Sequence, residues 1–159
     1  MIVVADSGPI HYLVLIGDIS VLEPLFDRVL IPEAVRTELV QPSTPLVVRN
    51  WIANPPAWTE IRSAPRSHEE TLARLGPGEH EAILLARQIH VDYLLIDDAR
   101  GRSVAESQHI PTIGTIGILR EAATADLINF RASFNRLMAT NFRISSSFRV
   151  QILKEFDQE

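Results

Sequence analysis

The chain contains no cysteine. Disulfide staples, thiolate zinc centres and thiol nucleophiles are therefore excluded, and the absence agrees with a reducing cytoplasm. Lysine is almost as scarce: Lys154 is the single lysine among fifteen basic residues. Arginine carries the remaining positive charge and is the better bidentate partner for phosphate, although a GC-rich genome produces the same bias. No apolar run is long enough to span a bilayer, so no membrane partner is expected. The N-terminus lacks the basic stretch and apolar core of a signal peptide. A glycine-rich G-x-G-x-x-G turn is also missing after the first apolar run, where Asp6-Ser7-Gly8-Pro9 stands instead; this excludes the dinucleotide-binding fingerprint. Nor is there a surplus of positive charge. The net charge of −5 argues against a generic polyanion binder. That average hides one segment, Leu127 to Lys154, which has no acid but carries Arg131, Arg136, Arg143, Arg149 and Lys154.

What is present is enough for a real core. With 159 residues, 46% of them hydrophobic, a single globular domain covering 1–159 is expected. The run Ile2 to Ala5 is apolar throughout, as a strand covered on both faces must be. Ser7-Gly8-Pro9 then starts a helix, with Ser7 or Gly8 as cap and Pro9 near the first position. A short helix to about Pro24, a strand at Arg28 to Ile31 and a helix from Pro32 follow. A further helix at Leu46 to Ile52, a strand near Trp58 to Arg62 and a polar helix from Ser67 to Leu75 are predicted. Gly76-Pro77-Gly78 punctuates the chain ahead of a helix at Glu79 to His90, where Ala82, Leu85, Ala86 and Ile89 recur at helical spacing. Next come a strand at Tyr93 to Ile96, a helix at Ala99 to Gln108, a strand at Thr112 to Gly114 and helices near 116–125, 130–140 and 146–156. Alternating strands and helices predict a three-layer α/β/α fold on a central parallel sheet of about five strands.

Two apolar strands end on aspartate: Ile2 to Ala5 delivers Asp6, and Tyr93 to Ile96 delivers Asp97 and Asp98. Open parallel sheets bind ligands at the carboxyl ends of their strands, which makes these acids site candidates. Asp6 is otherwise a turn or cap residue. Asp98 is otherwise the cap of the Ala99 helix. Glu38 lies near the buried edge of its helix but reads locally as an ordinary surface acid. Glu79 and Glu81 share a first helical turn, where dipole compensation explains both; Glu81 borders the apolar face, while Glu79 is harder to place. His80 between them reads as a surface histidine. Arg100 and Arg102 follow the aspartate pair and either hold a phosphate or neutralise the acids. Carboxylates without cysteine or paired histidines suit hard cations, Mg²⁺ or Mn²⁺, which activate water and clamp phosphodiesters.

Four stretches together resemble the PIN-domain nucleases, the fold shared with VapC-type toxins. V-V-A-D-S-G-P-I is similar to that family's first acidic motif and assigns Asp6. I-P-E-A-V-R-T-E-L resembles the second and assigns Glu38. G-P-G-E-H-E-A-I-L-L-A resembles the third and assigns Glu81 in preference to Glu79. L-L-I-D-D-A-R-G-R resembles the fourth and assigns Asp97 or Asp98, with Asp98 the closer match. The resemblance implies a Mg²⁺- or Mn²⁺-dependent endoribonuclease, frequently a toxin paired with an antitoxin protein and frequently a homodimer. RNA phosphate contacts are expected at Ser7, Arg100 and Arg102. A receiver domain or a haloacid-dehalogenase-type phosphatase also gathers acids at strand ends, but each needs a lysine that is missing before Lys154. The competing reading from another class is a PIN-like RNA- or protein-binding module with little catalysis.

Overall fold

A computed structural model describes residues 1–157. Five strands form one all-parallel sheet: β1 (Ile2–Ala5), β2 (Arg28–Pro32), β3 (Thr59–Arg62), β4 (Tyr93–Leu95) and β5 (Thr112–Ile113). Their spatial order is β3-β2-β1-β4-β5. The chain builds outward from β1 to one edge, then returns to the other side of β1 and builds outward again. The crossover direction therefore reverses at β1 and β4, the place where open α/β sheets hold ligands. Register is fixed there by Val3 opposite Tyr93 and Ala5 opposite Leu95.

Alternation along the strands sorts the core into two layers. Val3 and Ala5 face one side with Ile31 and Leu95. Val4 faces the other with Leu30, Leu94 and Ile96. The first layer packs under α1 (Ser7–Leu15), α2 (Leu22–Phe26), α3 (Glu33–Leu39), α4 (Leu46–Ala53), α7 (Thr115–Thr124) and α8 (Phe130–Met138). Ile152 of α9 (Ser146–Asp157) is buried in the same layer, and Phe156 stacks on Phe130. The second layer packs under α5 (Pro77–Ile89) and α6 (Ala99–Ser107). The three-layer α/β/α architecture on five parallel strands is thus the one the sequence pattern predicts.

Two local expectations fail. The segment from Ser67 to Leu75 is not a helix; it holds only a 3₁₀ turn at Glu70–Leu72. Its apolar residues, Leu72 and Leu75, are too few to form a helical stripe, and side-chain bonds take over its backbone. His80, expected at the surface, is buried and does that work. Its Nε2 accepts the Ser67 N–H at 3.2 Å, and Nδ1 lies 3.2 Å from the Leu72 carbonyl. Those partners select the neutral tautomer with the proton on Nδ1. Among the C-terminal arginines, Arg136 is structural: it donates to the Ile16 carbonyl and to the buried Asp18, tying α8 to the end of α1.

Candidate active site

The β1–β4 ladder runs one residue past the strand, because the Asp6 N–H donates to the Leu95 carbonyl at 2.9 Å. Asp6 is thereby locked to the carboxyl end of the sheet, through a residue that closely precedes Asp97. Its side chain is 3% exposed. Asp6 stands at the N-cap of α1, yet its side chain makes no capping bond. Its Oδ1 is buried without a hydrogen-bond partner among the described residues. The reading of Asp6 as a mere cap therefore does not hold, since a cap oxygen accepts an N–H. Burial, followed by the nearby charge of Glu79, pushes its pKa from 3.8 to about 8; Glu38 and Asp98 add to the rise, and the Ser7 N–H opposes it.

Those three neighbours arrive from three helices. Glu38 lies in the last turn of α3, and its Oε1 accepts the Gly78 N–H at 3.0 Å. The carboxylate thus rests on the amino end of α5, where the helix dipole favours a negative charge. A methyl group added at Gly78 would stand 2.6 Å from that same oxygen, so glycine is what admits Glu38 to the helix end. Glu79 lies in the first turn of α5, half-buried, with its Cγ close to Gly101 of α6. Burial raises its pKa, backbone N–H groups at the helix start oppose this, and Asp98 and Glu38 raise it further. Asp98 does cap α6: its Oδ2 accepts the Gly101 N–H at 2.8 Å. That bond orients the carboxylate and engages one of its oxygens.

Glu81 and Asp97 are held by other partners. Glu81 is the acid that the resemblance assigns to the third position. Its two oxygens accept the N–H of Ala34 at 2.8 Å and of Ala64 at 3.2 Å. It bridges the start of α3 to the segment after β3 and is occupied as a structural clamp. Glu79, one turn position away, is the acid that meets Asp6, Glu38 and Asp98. Helical spacing could not separate the two, because Ala82, Ile83, Leu85 and Ala86 are all buried and both glutamates border apolar stripes. The available signal was Ile83: a fully buried residue four positions after Glu79 marks that edge as facing the sheet.

Asp97 is not among the acids whose charge acts on Asp6. It accepts the Thr115 N–H at 2.8 Å and the Thr115 hydroxyl at 2.6 Å, fastening β4 to the start of α7. Burial raises its pKa, and the Thr115 bonds and the Arg102 charge pull it back. Arg102 is accordingly directed to the Asp97 and Gly114 side, whereas Arg100 is exposed in the first turn of α6. Ser7 is half-buried beside Asp6 as the first residue of α1.

No three acidic or histidine side chains among the described residues stand as a ready-formed cation cage. The chemistry of the donors nevertheless fits a hard divalent cation. Asp6 offers a buried, unbonded oxygen, and the charges acting on it are those of Glu79, Glu38 and Asp98. No helix among the described residues is long and apolar enough to cross a membrane.

Comparison with known proteins agrees with this arrangement. No curated protein matches the chain. A family model described as DUF3368, PIN domain, matches residues 2–158. PIN domains are a nuclease-type family, and the five-stranded parallel sheet between helical layers is consistent with such a fold. The match extends over nearly the whole chain, and the chain therefore belongs to the PIN-domain family.

Proposed function

We propose that the protein is a Mg²⁺- or Mn²⁺-dependent endoribonuclease that hydrolyses RNA phosphodiester bonds, with Asp6, Glu38, Glu79 and Asp98 as its catalytic acids. One observation carries the reading. Asp6 is buried at the switch point of the sheet with an unpartnered oxygen and three further carboxylates acting on it. Burial and the neighbouring acids leave the Asp6 carboxyl protonated near neutral pH when it stands alone, and a divalent cation would take the place of that proton. When bound, the divalent ion would supply a polarised water, more acidic than bulk water, and offset charge on the phosphate.

The protein's own contribution is positional. Asp6 is fixed by its backbone bond to Leu95, and Asp98 is oriented by the Gly101 N–H. Glu38 and Glu79 both lie at the amino end of α5, where the helix dipole favours negative charge. Repulsion favours spread side chains, and a cation reverses the sign of that interaction. Arg100, exposed at the start of α6, is placed to meet a phosphate. The resemblance to VapC-type toxins supports a cytoplasmic toxin with a cognate antitoxin and a homodimeric assembly. It also supports a single domain over the whole chain.

A second reading has one observation in its favour. The acids do not form a ready-made cage, as in a PIN-like module that binds RNA or protein with little catalysis. Mn²⁺-dependent cleavage of a mixed RNA pool by the wild type and by Asp98→Asn decides between them. Asparagine keeps the helix cap and removes the charge. Cleavage lost in the variant supports the nuclease. RNA binding without cleavage in both proteins supports the module.

A further inference from the structure

We infer that the cavity between the start of α3, the segment after β3 and α5 binds a small monocarboxylate with an apolar tail. The inference stands apart from the nuclease reading, because neither Asp6 nor the three acids acting on it line this cavity. Its volume is about 190 Å³. A packed interior leaves few voids larger than a water molecule, so a space of this size is more than a packing gap. Ala34, Ala64, Leu75, Pro77 and Leu84 form most of the wall. Ala64, Leu75 and Leu84 pack against the second core layer but are only partly buried, so they keep apolar surface open to the cavity.

The polar part of the lining decides which end of a ligand enters. His80 has both ring nitrogens engaged, with the Ser67 N–H and the Leu72 carbonyl. Glu81 has both oxygens engaged, with the N–H groups of Ala34 at 2.8 Å and Ala64 at 3.2 Å. Neither residue therefore needs a ligand partner, and the Glu81 charge repels a second carboxylate placed beside it. The end that passes them is apolar. Arg66 is the one other polar side chain of the lining. It is exposed and makes no hydrogen bond or ion pair among the described residues.

The backbone on both sides of Arg66 is fastened to α5. Ala64 is tied to Glu81, and Ser67 is tied to His80. That anchoring holds the guanidinium at the solvent edge of the cavity, where its fork of N–H donors matches a carboxylate. A carboxylate at Arg66, with its tail against Leu75 and Leu84, pairs the free cation and covers the open apolar wall. An alcohol of the same length gains only the burial of its tail. An amine meets the Arg66 charge at the entrance.

The test is titration of the isotope-labelled full chain with butyrate, hexanoate, hexanol and hexylamine. Amide NMR shifts at Ala34, Ala64 and Ser67 are followed in the wild type, Arg66→Gln and Leu84→Trp. Hexanoate should move these amides and bind more tightly than butyrate by roughly sixteenfold, about fourfold for each of two added methylenes. Hexanol and hexylamine should bind more weakly than hexanoate by about fivefold, the upper range of an exposed ion pair. Arg66→Gln should lose that same factor for hexanoate and nothing for hexanol. Leu84→Trp fills the cavity and should abolish the shifts. Wild type that shows no shift with millimolar hexanoate overturns the inference, as does equal affinity for hexanoate and hexylamine or unchanged hexanoate binding in Arg66→Gln. Shifts that persist in Leu84→Trp place the ligand elsewhere and overturn it too; if that variant does not fold, the comparison with Arg66→Gln decides. No readout uses RNA, so failure here leaves the nuclease reading standing.

Discussion

Replacing Asp6 by asparagine removes a buried carboxyl whose charge the fold disfavours, and the effect on stability depends on pH with a defined sign. The pKa of Asp6 is raised from 3.8 to about 8, with burial as the main cause and Glu79 as the largest neighbouring charge. The folded protein therefore retains a proton that the unfolded chain loses, and stability falls as pH climbs. The Asp6 contribution is fully present below the unfolded value near 3.8 and is lost as pH passes through about 8. The shift spans about four units, which at 1.36 kcal/mol per unit is on the order of 5 kcal/mol. Asparagine has nearly the shape of the protonated acid but cannot ionise, so its stability lacks this component. The assay is urea unfolding at fixed pH between about 4 and 9 with a chelator present, followed through Trp51 and Trp58, whose half-buried rings lie 6.2 Å apart. The two proteins should be close in stability at the acid end. The variant should be the more stable by several kcal/mol at the alkaline end. Parallel curves for the two proteins would refute the reasoning, because Asp6 would then be as comfortable ionised in the fold as in water.

Mn²⁺ should raise the melting temperature of the wild type by several degrees and leave that of Asp6→Asn unchanged, because binding to the folded state alone stabilises it; equal response of the two proteins in a thermal-shift titration would remove Asp6 from the cation site. Glu81→Ala should cost about 1–3 kcal/mol, since it strands two backbone N–H groups, at Ala34 and Ala64, that Glu81 now accepts; a melting temperature within a degree of wild type would contradict the clamp role. Gly78→Ala should weaken Mn²⁺ binding, read by calorimetry, because the added methyl would lie 2.6 Å from Glu38 Oε1 and displace that carboxylate; unaltered affinity would separate Glu38 from the site.

The layered fold was legible because its cues are local and repeated. Val3, Val4 and Ala5 are fully buried within four apolar residues, and only a strand covered on both faces calls for that pattern. Gly76-Pro77-Gly78 signalled α5, although the helix begins at Pro77 rather than at Glu79, because proline takes its first position. Asp6 stood out as a candidate because it directly follows β1, and Asp98 because it lies shortly after β4. Glu79 against Glu81 could not be resolved, since the answer lies in contacts with Gly101 and Ala64, far away in sequence. His80 was misplaced for the same reason: a lone histidine among surface-type neighbours gives no hint that a distant loop will close over it and use both ring nitrogens. Asp97 carries the same chemistry as Asp98, and only the approach of Thr115 shows that it is engaged in holding α7.

The central claim is that Asp6, Glu38, Glu79 and Asp98 form one cation site and that Glu81 stands outside it. Electron paramagnetic resonance of free Mn²⁺ during titration tests this directly in the wild type, Glu79→Gln and Glu81→Gln. Glu79→Gln should weaken binding by about tenfold or more, as loss of a carboxylate from a hard-cation site does. Glu81→Gln should bind as the wild type does. Weakened binding in Glu81→Gln together with unchanged binding in Glu79→Gln would contradict the account.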